Sequence, residues 1–393
     1  MVRASRLAFA LVALAAGAWA RAVPASAPAP VTDEEYARFG EAMASAVSHG
    51  DQHVPAKSID SIAFMDRTLE GLKAPEAVLD GCRIGMLESL NPTLEKMFGK
   101  LKNAHFLRLD TRTAEKRALV RFINANGDAT YLGFVCDRRR NGEIAWCDVH
   151  LYLFDENFSQ TMHRLLGPWL GSLGNHSSPD SEGNIDDLIA IAPIARLIID
   201  GKPHDALAAI RALPLAKQNQ ESIRVLRLSV ARQSEPAEYA RMVDEWAEDK
   251  PDDPALSLAT FEAAVLRHDY PTAIARATRF EQLIGGDAYQ EYLIARLHRL
   301  ASEPTAARLA ARHALAQEPS FTPAYDLLLD LALDNGNTAD VVDLLQEIEM
   351  HFPGADMAHA IATDPKYAAT RASAIYSAWL RLRPGPPARV PSK

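Results

Sequence analysis

From Thr32 onward apolar residues recur at helical spacing, and the segment opens with an N-cap at Thr32 or Asp33 followed by Glu34 and Glu35 in the first turn. The helical period runs in pieces to about Leu101, with breaks expected at Gly50 and Asp51, at Gly71, and at Asn91 and Pro92. The period then changes to two. Segments 104–111, 117–123, 129–137 and 143–154 alternate or run apolar. Turn residues separate them: Ala114-Glu115-Lys116, residues 124–128 around Asn126-Gly127, and residues 140–143 around Asn141-Gly142. The pattern predicts a four-stranded antiparallel meander, closed by a helix over about 159–170.

Residues 171–184 are small and polar without apolar spacing, which marks a linker. Beyond Asp186 every segment reads as helix and the pattern repeats. Tyr239, Ala273, Ala307 and Val341 follow one another at intervals of 34, and Ala206 precedes Tyr239 by 33. Each stands after a short polar turn between two helices. Pro251, Gly285, Pro319 and Pro353 close the units, again 34 apart.

A helix–turn–helix unit of this period with a closing proline resembles the tetratricopeptide repeat (TPR) family over about 187–355. The fullest units are 288–321, with Ala295, Ala307, Ala314 and Pro319, and 322–355, with Tyr325, Leu328, Val341, Leu345 and Pro353. Phe261 and Leu329 depart from the pattern where Ala295 keeps a small residue, and the first unit, near 187–219, is short. The resemblance implies an all-α solenoid over 185–355, with a concave groove that takes a protein or peptide segment. Carried over by register, the groove is lined by Arg224, Leu228 and Arg232, then Leu258, Glu262 and Val265. Tyr289, Tyr292, Arg296 and Arg299 follow, and finally Asp326, Asp330 and Asp334. The family's lysine-and-asparagine carboxylate clamp is missing, since Leu228, Glu262, Arg296 and Asp330 hold the ninth positions. Residues 356–393 are expected to supply a capping helix, with Tyr367, Tyr376, Trp379 and Leu380, and a tail.

The meander carries the other candidate chemistry. With a two-residue Asn141-Gly142 turn, Cys136 faces Cys147, Phe134 faces Val149 and Leu132 faces Leu151, which makes Cys136–Cys147 a candidate disulfide, with two packed free thiols as the alternative and Cys82 as a competing partner. The opposite face carries Asp148, His150 and Tyr152, with Tyr131 opposite Tyr152, and strand 104–111 adds Arg108 and Asp110. Helices, a meander and a closing helix look like the NTF2-like α+β fold, which implies a curved sheet around a pocket. Arg108, Asp148, His150 and Tyr152 are the candidate pocket residues, with an Asp/His pair as acid and base if the unit is an enzyme. No HExxH, GxSxG, P-loop, GxGxxG or CxxC motif occurs, so no catalytic residue, cofactor or metal is expected. Acidic and asparagine-rich stretches at 180–187 and 334–340 lack the twelve-residue calcium loop and read as turns.

Composition sharpens this picture. The 393 residues are 48% hydrophobic and 24% charged, as in folded globular chains of two or three domains. The formal charge of −9 argues against nucleic-acid binding. Between Arg312 and Lys366 there is no Lys or Arg but ten Asp or Glu, so the groove's last unit is strongly acidic and suits a partner with a basic segment. Arg3 and Arg6 precede one apolar run, residues 7–20, too short to span a bilayer comfortably. Ala18-Trp19-Ala20 and Ala25-Ser26-Ala27 offer small-residue cleavage patterns, so residues 1–27 read as a signal peptide. The mature chain is then expected to be exported, periplasmic or secreted, with no further membrane span. The expected organisation is an NTF2-like α+β domain at 28–170, a linker at 171–184, TPR-like repeats at 185–355 and a cap at 356–393. The expected function is a protein-binding adaptor, with homodimerisation through the first domain, against the alternative of an enzyme or small-ligand binder in that domain.

Overall fold

The computed structural model describes residues 29–383 apart from 73, 153–154, 175–192, 195, 199, 220 and 250–255. The expected signal and residues 175–184 of the expected linker therefore lie outside the described residues.

Helix α1 (Asp33–Ser48) opens with a capping box, in which Thr32 Oγ1 accepts the Glu35 N–H while the Glu35 carboxylate accepts the Thr32 N–H at 2.9 Å. Three further helices follow: α2 (His53–Lys57), α3 (Ser61–Leu69) and α4 (Glu76–Phe98). The break expected at Asn91 and Pro92 does not occur, because Pro92 sits inside α4. Leu90, Leu94 and Phe98, spaced at i, i+4 and i+8, are all buried. Burying that stripe outweighs the cost of a mid-helix proline, about 3 kcal/mol.

The strands are β1 (Leu101–Asp110), β2 (Arg117–Asn124), β3 (Ala129–Arg138), β4 (Ile144–Leu151) and the two-residue β5 (Glu156–Asn157). They pair antiparallel in sequence order, so the meander has five strands rather than four. The fifth arises because the segment expected to run to 154 stops at Leu151, and Asp155 adopts φ 51 and turns the chain back. Helix α5 (Phe158–Gly174) closes the unit and takes in the first four residues of the expected linker. Helices cover one face of the sheet, where Phe64, Phe98, Phe122, Phe134 and Trp146 form an aromatic core. There α1 approaches β1 so closely that a Cβ at Gly40 would stand 2.3 Å from the Phe106 ring.

Of the two readings of the β3–β4 register, the candidate disulfide does not form: Cys82, Cys136 and Cys147 are free thiols. Leu132 pairs with Leu151 and Phe134 with Val149 as expected, but a bulge then shifts the register and sets Cys136 opposite Trp146. Cys147 is the extra residue of the bulge, with its sulfur against the Val135 carbonyl at 3.5 Å. Nearer the turn, Arg139 N–H bonds the Glu143 carbonyl, leaving a three-residue loop with Gly142 at φ 89. The bulge compensates for that extra loop residue, and it does so at the cysteine.

The rest of the described chain is helical: α6 (Pro203–Arg211), α7 (Leu215–Gln218), α8 (Glu221–Ser234), α9 (Pro236–Asp249), α10 (Leu256–Leu266) and α11 (Tyr270–Ile284). Then come α12 (Ala288–Leu300), α13 (Pro304–Gln317), α14 (Thr322–Asp334) and α15 (Thr338–His351). The second helices of successive pairs start at Pro236, Tyr270, Pro304 and Thr338, which keeps the interval of 34. Ala206, Tyr239, Ala273, Ala307 and Val341 are each at most 2% exposed, at the point where neighbouring helices cross. Beyond α15 stand α16 (Met357–Ala360), a 3-10 turn (Pro365–Tyr367), α17 (Ala368–Arg371) and α18 (Ala374–Leu382), not one continuous helix. Tyr367, Tyr376 and Trp379 are buried in the core of the last pair, whereas Leu380 is exposed.

Candidate functional site

The second face of the sheet is largely covered, with His105 of β1 left exposed. Alternation along β2 places Arg117, Leu119, Arg121 and Ile123 away from the aromatic core, and this face packs on the solenoid where α11 ends and α12 begins. Leu119, Tyr131, Tyr152 and Ile284 are buried together there, with Leu107, Ala129 and Phe280 against them.

Asp287 sits at the centre of this junction. As N-cap of α12 its carboxylate accepts the Tyr289 N–H at 3.1 Å, and it also accepts the Tyr131 hydroxyl at 2.6 Å and Arg121 Nη1 at 2.7 Å. Arg121 Nη2 reaches Glu318 at 2.9 Å, and its guanidinium lies 5.5 Å from the centre of the Phe321 ring. Arg121 and Asp287 are 3% and 2% exposed. Burial opposes the Arg121 charge, but the Asp287 and Glu318 carboxylates outweigh it and hold the guanidinium more firmly protonated than usual. Burial, together with the Asp287 charge, pushes the Tyr131 phenol well up. At the end of α11, Gly285 takes φ 77, and Arg108 donates to the Gly285 and Gly286 carbonyls, the cationic partner that a helix C-terminus favours.

The candidate groove residues fall into two groups. Nearer the sheet, Tyr289 donates to the Gly127 carbonyl of the β2–β3 turn at 2.7 Å. Glu262 is held by Arg232 at 2.5 Å and by the Tyr239 hydroxyl at 2.8 Å, and Arg224 by Asp249 at 3.0 Å. The Leu258 side chain lies outside the described residues. Further along, Arg296 lies over the Tyr292 ring at 5.7 Å, and Arg299 bridges from α12 to Asp330 at 3.1 Å and Asp334 at 3.0 Å on α14. Lys366 adds a long contact of 3.8 Å to Asp330. Burial, with the neighbouring Asp330 charge, raises the Asp326 carboxyl, against the pull of Lys366.

Of the candidate pocket residues, His150 and Tyr152 meet edge to face at a centroid distance of 4.8 Å, while the others are held by different partners. Arg108 belongs to the junction. Asp148 is a capping carboxylate: it accepts the Val149 N–H at 2.8 Å, the Ser159 N–H at 3.1 Å and the Ser159 hydroxyl at 2.5 Å, and so fixes the start of α5. His150 is buried, with Nδ1 3.0 Å from Asn157 Oδ1 and Nε2 3.3 Å from Asp155. Burial and the Arg117 charge lower its pKa. Tyr152 donates to Asp110, which two Arg112 bonds of 2.7 Å also hold. A cleft of about 330 Å³ opens beside the junction, lined by His105, Arg108, Asp287, Gln317 and Glu318 among others; Arg108 is the one candidate pocket residue that borders it. Among the described residues no cluster of three His, Cys, Asp or Glu could hold a metal, and no helix is long and apolar enough to cross a membrane.

Sequence reasoning missed Arg121, Asp287 and Glu318. The available signal was Arg121 itself, a charge in the otherwise apolar run of β2.

No family model and no curated protein matches the chain. Among solved structures, MamA from Desulfovibrio magneticus RS-1 is 12% identical and covers 46% of this chain and 98% of its own, with a TM-score of 0.36. PilW, a widely conserved type IV pilus biogenesis factor, is 14% identical over 46% of this chain and 100% of its own, with a TM-score of 0.31. TTC0263, a thermophilic TPR protein in Thermus thermophilus, is 13% identical over 50% of this chain and 100% of its own, with a TM-score of 0.28. Likenesses this weak assign nothing, and the helical-repeat reading stands on the 34-residue spacing and packing of the chain itself.

Proposed function

We propose that the chain is an exported adaptor that binds a partner protein through the face shared by α12 and α14, with a cleaved signal over 1–27. The observation that carries this reading is on that face: Arg296, stacked on Tyr292, and Asp326 are exposed and have no ion-pair partner among the described residues. Asp330 and Asp334 continue the acidic side and share one half-exposed arginine, Arg299. Exposed charges beside an aromatic ring on paired helices suit an extended segment that carries a basic residue to Asp326 and Asp330. Residues 28–170, with helices on one face of a meander, support an NTF2-like reading of the first unit, which here braces the solenoid. The reading assigns no catalysis, since Asp148, His150 and Tyr152 are engaged in separate structural bonds.

The test is capture from bacterial envelope extract with residues 28–393 and with the Asp326→Lys/Asp330→Lys variant, followed by mass spectrometry. A partner held by the first and lost by the second, with unchanged helical circular dichroism, is the expected result. Equal capture by both baits would remove α14 from the binding face.

A further inference from the structure

We infer that residues 384–393 fold back over the face shared by α12 and α14 and occupy the partner site within the same chain. The inference rests on the adaptor reading above and names the segment that a partner must outcompete.

The face combines two chemistries. Where the two helices begin, the Tyr292 ring meets Phe321 at a centroid distance of 5.7 Å, and Tyr289 meets Tyr292 at 6.3 Å and Phe321 at 6.5 Å. Phe321 is buried, whereas Tyr289 and Tyr292 are half-buried and keep ring surface in solvent. Asp326 stands one repeat beyond Tyr292, exposed and without an ion-pair partner among the described residues. One turn along α14, Asp330 shares Arg299 with Asp334 and has a long contact of 3.8 Å with Lys366. Aromatic rings take the prolines of an extended segment, and carboxylates beside them select a cation at a fixed distance along it.

The chain carries such a segment. Residues 384–393 hold four prolines, Pro384, Pro386, Pro387 and Pro391, and two cations, Arg389 and Lys393, with no Asp or Glu. Prolines at this density favour the polyproline II helix, which is extended before it binds and so loses little entropy on docking. The segment also starts in the right place. Arg383 lies over the Trp379 ring at 4.8 Å, and its Nε donates to Glu349 of α15 at 3.1 Å. The end of α15 lies beside the beginning of α14: Glu347 is 3.5 Å from the Tyr325 hydroxyl, and the Phe352 ring is 6.1 Å from the Tyr325 ring. Tyr325 is the neighbour of Asp326 in sequence. Packed helices are about 8–10 Å apart, and the six steps from Arg383 to Arg389 span about 19 Å as polyproline II. That length takes the Arg389 guanidinium to Asp326 and Asp330 and sets Pro391 against Tyr292. A tethered tail competes at an effective concentration on the order of 1 mM. An external partner then meets only the fraction of molecules whose site is free.

The probe is a fluorescein-labelled peptide of residues 384–393, and its anisotropy compares the chain 28–393 with the chain 28–383. The shortened chain should bind it about tenfold more tightly, having no tail of its own. Arg389→Glu in the full chain should restore the tighter binding without a deletion, and Asp326→Lys/Asp330→Lys in the shortened chain should abolish it. Equal binding by 28–393 and 28–383, or no binding by 28–383, overturns the inference. Should the shortened chain fail to fold by circular dichroism, the Arg389→Glu chain decides: probe binding no tighter than that of 28–393 refutes the docked tail. A solution mass above that of one chain, lost on Arg389→Glu, would seat the tail on a second copy and overturn the same-chain arrangement. Envelope capture with 28–383 tests the adaptor separately. A partner held there and lost with the Asp326 and Asp330 variant, beside equal probe binding, leaves the adaptor standing and removes only the docked tail.

Discussion

The two faces of the sheet are both largely buried, and they are buried by different physics. Toward α1–α5 the contact is aromatic: Phe122, Phe134 and Trp146 meet edge to face at centroid distances near 6 Å, with no charge among them. Toward the solenoid, Arg121, Asp287, Tyr131 and Glu318 form a directional set around a smaller apolar patch. Apolar packing is proportional to area and tolerates sliding. A buried ion pair contributes little net stability against an apolar replacement, yet losing one partner is costly. The first face thus holds the unit together, and the second selects one docking geometry for the repeats.

Truncation separates the two kinds of face. Trp146→Ala on the aromatic face should cost about 3–5 kcal/mol, read by urea denaturation, because a large side chain 1% exposed leaves a cavity. Arg121→Met should cost somewhat less, about 3 kcal/mol, by leaving Asp287 buried beside Tyr131 without its cation. Adding Asp287→Asn to Arg121→Met should recover about 1–2 kcal/mol, since the amide still caps α12 and carries no charge. Additive losses in that double variant would mean that the junction behaves like a second apolar core. Tyr131→Phe removes one bond to Asp287 and should cost about 1–2 kcal/mol.

Much of the architecture is written in periodicity. The interval of 34 is legible because Tyr239, Ala273, Ala307 and Val341 solve the same packing problem in each unit. The same period carries a message that a residue-by-residue reading passes over: side chains about one unit apart lie side by side. Arg299 with Asp330, Arg308 with Asp340, Arg312 with Glu347 and Arg383 with Glu349 are all such pairs. The acids of α14 and α15 therefore look less compensated along the chain than they are in space. The cysteine register was not legible, because Asn141-Gly142 fits both a two-residue and a three-residue loop, and the apolar run Ala145-Trp146-Cys147 hides the bulge. Docking between Arg121 and Asp287, which are 166 positions apart, follows no period at all. Alternation puts Arg121 on the face turned away from the aromatic core, beside Arg117, and charges on a strand face ordinarily mean water.

His150 gives a smaller, pH-dependent test of the polar face. Burial and Arg117 lower its pKa in the folded chain below the ordinary value of 6.5, so folding favours the neutral ring. The corresponding stability is fully present above about pH 6.5 and is lost as the pH falls toward the folded value. Melting temperature should thus fall between pH 7.5 and pH 5.5, and His150→Gln should flatten part of that fall. Carboxylates bound by arginine, such as Asp110, which Arg112 and Tyr152 hold below the usual range against its burial, lose their contribution only at more acid pH. A variant whose pH profile overlays that of the parent would show that Asp155, 3.3 Å away, sustains the protonated ring instead.

The thiols give the smallest effect, and they test the register that joins the two faces. Cys136 and Cys147 are 3% and 0% exposed, and burial first of all pushes both thiols up. Neither should react with a thiol reagent in the native chain, and a reductant should leave the melting temperature unchanged. A fall in melting temperature under reductant would require a sulfur bridge, which the present pairing of Cys136 with Trp146 forbids. The bulge would then have to move off Cys147, which would change the pairing of β3 and β4. Leu132 and Phe134, paired with Leu151 and Val149, keep the aromatic face in register for as long as the bulge stays where it is.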